Sequence, residues 1–146
     1  RWAYFGLFVG MVPIILWAST RPDFQSSYPQ ARGIVAGNEV SVQLFIAYHV
    51  AYLAMFLSGE SFWRGYMTFG LGRDLDVAAL PWMVMLYSIG HYGKPLLEAN
   101  AAIIAGFVLG YLALRHRSFF LGGLLHWSIA LTMDLAVLWQ RGVVWH

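Results

Sequence analysis

The chain has no cysteine and little charge. The first absence removes disulfides and thiolate chemistry and leaves the redox compartment without a marker. The second says more. Asp, Glu, Lys and Arg make up 11% of the 146 residues, whereas a soluble domain carries roughly 25%. A chain this poor in charge cannot coat a globule with solvated side chains. Its net charge of +2 comes from few groups, so nucleic acid is not expected as a partner. A cleaved signal peptide is not expected either, because the first apolar stretch is long and lacks a small-residue cleavage site. The chain begins at Arg1 and not at Met, as a trimmed or processed product would.

What is present is apolar and aromatic. Hydrophobic residues reach 60% and aromatic residues 17%, and Trp and Tyr suit the two interfaces of a bilayer. The expected class is all-α: a polytopic transmembrane bundle of about five helices, one domain over residues 1–146. Uncharged runs locate the helices. Trp2 to Thr20 lies between Arg1 and Arg21, with Pro13 as a kink that a bundle tolerates. At about 1.5 Å per residue such a run nearly crosses a ~30 Å hydrocarbon core. Arg21 to Glu39 reads as a polar loop. A second helix starts at Val40 and continues through Glu60 and Arg64 to about Phe69. Gly70 to Asp76, GLGRDLD, reads as a short loop. Val77 to Gly90, Leu97 to Leu114 and Ser118 to Trp139 are the remaining helices. The basic residues divide evenly between the two sides, so the positive-inside rule does not orient the chain. The tight Arg115-His116-Arg117 turn assigns its own side to the cytoplasm. Ala102, Gly106 and Gly110 recur every four residues and predict a face that another helix backbone can approach closely.

Several ionisable residues sit in or at the ends of these apolar helices: Glu60, Arg64 and Asp134, with His49, His91 and His126. A charge near a helix centre costs about 2.5–3.5 kcal/mol, so such groups must meet each other, water or a membrane end. Glu60 and Arg64, four apart, share a helix face. They read either as an intrahelical ion pair or as a base oriented by a permanently charged partner. His49 shares that face but lies roughly 16 Å along the axis, and reads as a packing or hydrogen-bonding residue. His126 alone reads equally well as a satisfied core histidine. Together, one Glu and two His on three helices can activate water. Glu60 and one His take its proton while the other His stabilises an oxyanion. Alternatively, Glu60, His91 and His126 bind zinc with an open fourth position.

These residues resemble a known family. GESFWRGYM, Gly59 to Met67, resembles the Glu-x-x-x-Arg motif of the CPBP family, the CAAX-protease and bacteriocin-processing intramembrane endopeptidases. YSIGH, with Tyr87 and His91, resembles its second motif, an aromatic residue followed four later by His. GFVLGYLALRHRSFFLGGLLHWSIALTMD resembles its last part, which carries a His, here His126. The resemblance covers about residues 40–140. Two positions depart from the usual pattern: Gly59 stands where a first Glu is common, and Ala130 where Asn or Asp follows the last His. Lys94, Pro95, Glu98 and Asp134 instead match a branch with a single Glu, a GKP-x-x-E segment and a later Asp.

The resemblance implies a multi-pass protease of a cell membrane, the inner membrane in a bacterium. Glu60 would be the general base, oriented by Arg64. His91 would share the water, His126 would stabilise the oxyanion, and Asp134 would orient His126 or replace the missing Asn. No cofactor is required in that scheme, though the same residues could hold zinc. The expected partners are membrane lipids and a membrane-anchored peptide or protein substrate. A non-catalytic relative acting as an accessory or scaffold subunit of a larger membrane complex is the alternative.

Overall fold

In hydrocarbon every backbone N–H and C=O must bond within the protein, which favours helices. The computed structural model describes residues 2–146. Arg1 and the side chain of Arg32, two of the basic residues in the even division between the two sides, lie outside the described parts. Three helical runs are long and apolar enough to cross a membrane: Val42–Ile89, Leu96–His116 and Phe120–Arg141. A fourth apolar helix, α1 (Trp2–Ala18), is shorter. The apolar windows of the three long runs are only 17%, 33% and 44% buried. Val50, Ile89, Ile104 and Trp139 are among the side chains left outside, as a lipid solvent permits. The chain is an α-helical membrane protein.

The described residues form two compact units. One comprises Phe56–Leu124. It begins with the end of α3 (Val42–Glu60) and continues in a π-helical segment, Ser61–Thr68. Next comes α4 (Phe69–Leu75), where the GLGRDLD loop was expected. The helix persists there, with Gly72 at a packing contact. A Cβ on Gly72 would lie 2.9 Å from Leu114 Cδ2, so the bare backbone lets α4 settle against α6 (Leu96–His116). The break comes at Asp76 (φ 48°, ψ −128°), the first central conformation of a type II′ turn. A 3₁₀ turn, Asp76–Ala78, then leads to α5 (Ala79–Ile89). α5 packs along α6 and against the π-helical segment. Leu80, Met83, Val84 and Tyr87 of α5 form a core with Ala102 of α6. A Cβ on Gly106 would stand 3.1 Å from Val84 Cγ2 and 3.2 Å from Tyr87 Cδ1, and one on Gly110 2.7 Å from Leu80 Cδ2. The stripe of small residues is therefore the contact face it was expected to be. Arg117, left-handed at φ 54°, closes α6.

The other unit comprises residues up to Met55 together with Leu125–His146. It holds α1, α2 (Pro22–Ser27), the first part of α3 and most of α7 (Phe120–Arg141). No strand was expected, yet a small sheet is present. β1 (Val35–Ala36) pairs antiparallel with β2 (Glu39–Val40), which pairs parallel with β3 (Val144–Trp145). Gly37, at φ 62°, supplies the left-handed residue of the β1–β2 turn. Alternation over two residues per strand is too short to register as a sequence pattern. Ile34, Val40, Phe45 and Leu138 form the core beneath this sheet.

Candidate active site

The unit spanning Phe56–Leu124 holds a buried ion pair. Glu60 ends α3 and Arg64 lies in the π-helical segment that follows. Arg64 Nη1 donates to Glu60 Oε1 at 2.8 Å. The two residues are 2% and 0% exposed. Thr68, also fully buried, returns its hydroxyl to the Trp63 carbonyl at 2.8 Å. The wider turn of a π-helix, bonded i→i+5, suits this spacing. Residues four apart stack in one line, so Glu60, Arg64 and Thr68 all point inward while Phe62 and Tyr66 face out.

Two further contacts define the pair's surroundings. The guanidinium carbon of Arg64 lies 4.1 Å from the centroid of the Tyr87 ring, a cation–π distance. The Tyr87 ring in turn lies 4.6 Å from the His91 ring. His91 Nδ1 is 3.2 Å from the Tyr87 carbonyl oxygen. A carbonyl only accepts, so this contact puts the proton on Nδ1 and leaves Nε2 as the accepting nitrogen. Glu60, Arg64, Tyr87 and His91 thus form one continuous run of contacts. On another side, the start of α7 comes close to Glu60. A Cβ on Gly122 would stand 3.5 Å from Glu60 Oε2, and one on Gly123 2.8 Å from Leu57 Cδ2. A side chain at 122 would thus be in ordinary contact with the carboxylate, and one at 123 would have to push the end of the Leu57 side chain aside. Lys94, just before α6, meets Glu98 of its first turn at 3.5 Å, partly exposed.

Of the expected site residues, Glu60, Arg64 and His91 belong to this unit, and His126 and Asp134 to the other. His126 is half-buried on α7. Asp134, eight residues on, is about 12 Å further along the axis, beyond direct hydrogen-bond reach of it. The Asp134 carboxylate instead lies against His49, Oδ2 to Nε2 at 3.3 Å, with both residues buried. Phe45, Tyr48 and Tyr52 ring the imidazole, and Trp127 Nε1 donates to the His49 carbonyl at 3.0 Å. Sequence reasoning left three features without a role: the Tyr87 ring under Arg64, the Gly122-Gly123 approach, and the His49–Asp134 pairing. The last had a signal, since a buried acid demands a partner and His49 stood in a facing apolar helix. Among the described residues, no three His, Asp or Glu side chains gather as a metal-ligand group.

The family model of the type II CAAX prenyl endopeptidases, Rce1-like, matches residues 33–132. The chain belongs to this family. Glu60, Arg64, Tyr87, His91 and His126 all fall inside the matched span, and Asp134 lies just beyond it. No curated protein and no solved structure matches the chain. Membership of the Rce1-like family carries the activity of a CAAX-type intramembrane protease at the level of the family.

Proposed function

We propose that this protein is an intramembrane endopeptidase in which Glu60 activates water to cleave a peptide bond near the membrane surface. The observation that carries this reading is the buried Glu60–Arg64 pair, set where α3 passes into a π-helical turn and close to Gly122 of α7. A guanidinium stays charged under any cellular condition. It holds Oε1 of Glu60 in a fixed direction, and a carboxylate so held can accept a proton from water. The hydroxide attacks the peptide carbonyl. The tetrahedral oxyanion collapses, and the proton held by Glu60 passes to the leaving amine. His91, its accepting nitrogen set by the Tyr87 carbonyl, shares the water. The oxyanion role of His126 remains the one implied by the resemblance.

The family description supports a prenylated, membrane-anchored peptide as the substrate class, and the lipid-facing helices support presentation of that substrate from a cell membrane. The steps as written use side chains alone. Glu60 and His91 are also zinc-ligand types, so dialysis against a chelator forms one arm of the test, with unchanged turnover expected.

A second reading is favoured by Gly59 and Ala130, which stand where the resemblance has the first Glu of a pair and an Asn or Asp. In that reading the pair is structural and the protein is a subunit of a larger membrane complex. The deciding experiment reconstitutes the full chain in vesicles with a prenylated peptide and compares it with Glu60→Gln. The amide keeps the shape and removes the proton acceptor, so turnover should fall by about two to four orders of magnitude. Equal cleavage by both proteins, or none by either across a panel of prenylated peptides, would remove the peptidase reading and leave the subunit one.

A further inference from the structure

In a low-dielectric interior a cation held by one carboxylate can still swing about that bond. Arg64 has a second support, the ring of Tyr87, whose face lies 4.1 Å from the guanidinium carbon. The face of an aromatic ring is electron-rich and attracts a cation, most strongly where water is absent. Tyr87 is itself held on several sides. Its ring edge meets the bare backbone of Gly106, where a Cβ would be only 3.2 Å away. Trp63 packs edge-on at 6.1 Å, and the ring of His91 lies at 4.6 Å. Tyr87 is 4% exposed, and its carbonyl sets the His91 tautomer. One residue therefore touches both the cation that holds the base and the imidazole that shares the water.

We propose that Tyr87 is a positioning residue of the site: its ring face fixes Arg64, and through Arg64 the Glu60 carboxylate, in the geometry required to activate water. This rests on the reading of Glu60 as the base. Both the π face and, through a side-chain hydrogen bond, the hydroxyl of Tyr87 reach Arg64; phenylalanine keeps the face and should largely replace tyrosine. A flexible apolar residue of similar bulk should not. Gly106 extends the device into α6, because any side chain there pushes on the ring edge.

The test uses the full chain reconstituted with a prenylated peptide. Tyr87→Phe loses the hydroxyl but keeps the face, and should lower kcat by no more than about threefold, well short of the methionine variant. Tyr87→Met fills much of the volume without a π face and should lower kcat about tenfold with KM little changed, a factor equal to about 1.4 kcal/mol. A residue serving only to fill space would instead lower the melting temperature and leave kcat per folded molecule intact. Should Tyr87→Met not fold, phenylalanine carrying successive ring fluorines at position 87 keeps the shape while draining electron density from the face. Turnover should then fall stepwise with each fluorine. An independent arm needs no cleavage: a double-mutant cycle of Tyr87→Met with Arg64→Met, read as melting temperature in detergent, should be non-additive. If wild type and Glu60→Gln behave alike, the peptidase reading fails, and the cycle alone decides whether Tyr87 holds Arg64. A Phe variant as impaired as the Met variant, turnover indifferent to fluorination, or a strictly additive cycle would overturn the proposal.

Discussion

Gly106 offers the sharpest test of how the bundle supports its site. Adding a Cβ there has two opposing effects. Alanine in place of glycine inside a helix stabilises it by about 1 kcal/mol through backbone entropy. The new methyl, however, would lie 3.1 Å from Val84 Cγ2 and 3.2 Å from Tyr87 Cδ1. Val84 is β-branched and stiff at χ1, and the Tyr87 ring is wedged between Trp63 and His91. Neither can yield by simple rotation, so overpacking should cost about 1–3 kcal/mol. The net effect of Gly106→Ala is a loss of about 1 kcal/mol, and Gly106→Leu should lose several times that. Gly110→Ala makes a useful contrast. Its neighbours at 2.7 and 2.9 Å are Leu80 Cδ2 and Met83 Cε, the flexible ends of long side chains, so it should be close to neutral. Gly10→Ala in α1 has nothing within 4 Å and should gain the full propensity term. Thermal unfolding in detergent reads the series at about 3 °C per kcal/mol. The expected order of melting temperature is Gly10→Ala above wild type, Gly110→Ala near it, Gly106→Ala below and Gly106→Leu lowest. A Gly106→Leu protein as stable as wild type would refute the α5–α6 packing face and the seat of Tyr87 with it.

His49 and Asp134 form a buried pair at 3.3 Å. His49→Phe or Asp134→Leu alone should cost about 3–5 kcal/mol by stranding the partner, and the double variant should recover much of it; equal losses in all three would deny the pairing. His126→Ala should abolish peptide cleavage at unchanged substrate binding if the residue stabilises the oxyanion, and retained turnover would remove that role. Gly59→Glu restores the family pair at a position whose Cβ meets nothing within 4 Å. It should fold normally, and raised turnover would mark the wild type as a weakened enzyme. Asp76→Gly relieves a non-glycine residue held at φ 48°, so the melting temperature should rise by a few degrees; a fall would mean the Asp76 side chain supports the turn.

The amino-acid sequence alone determined the solvent of this protein, because charge density and uncharged runs report directly whether a chain is built for water or lipid. It also determined the i,i+4 relation of Glu60 and Arg64 and the approach face of Gly106, since helical periodicity converts spacing into a shared side. The order of the short motifs placed Glu60, Arg64 and His91 in one family scheme. Other features needed tertiary contacts. The run GLGRDLD carries turn chemistry locally, yet stays helical with Gly72 against Leu114, a contact between residues far apart in the chain. The π-helical widening at Ser61–Thr68 depends on how the backbone is held, and no local propensity marks it. Asp134 could be paired on paper with His126, its neighbour on the same helix. The structure pairs it with His49, because two turns of helix separate residues that a facing helix brings together. Tyr87 was visible as the aromatic residue of a motif. That its ring lies beneath Arg64 was decided by the packing of α5, since a cation–π contact is set by orientation in space and leaves no trace in spacing along the chain.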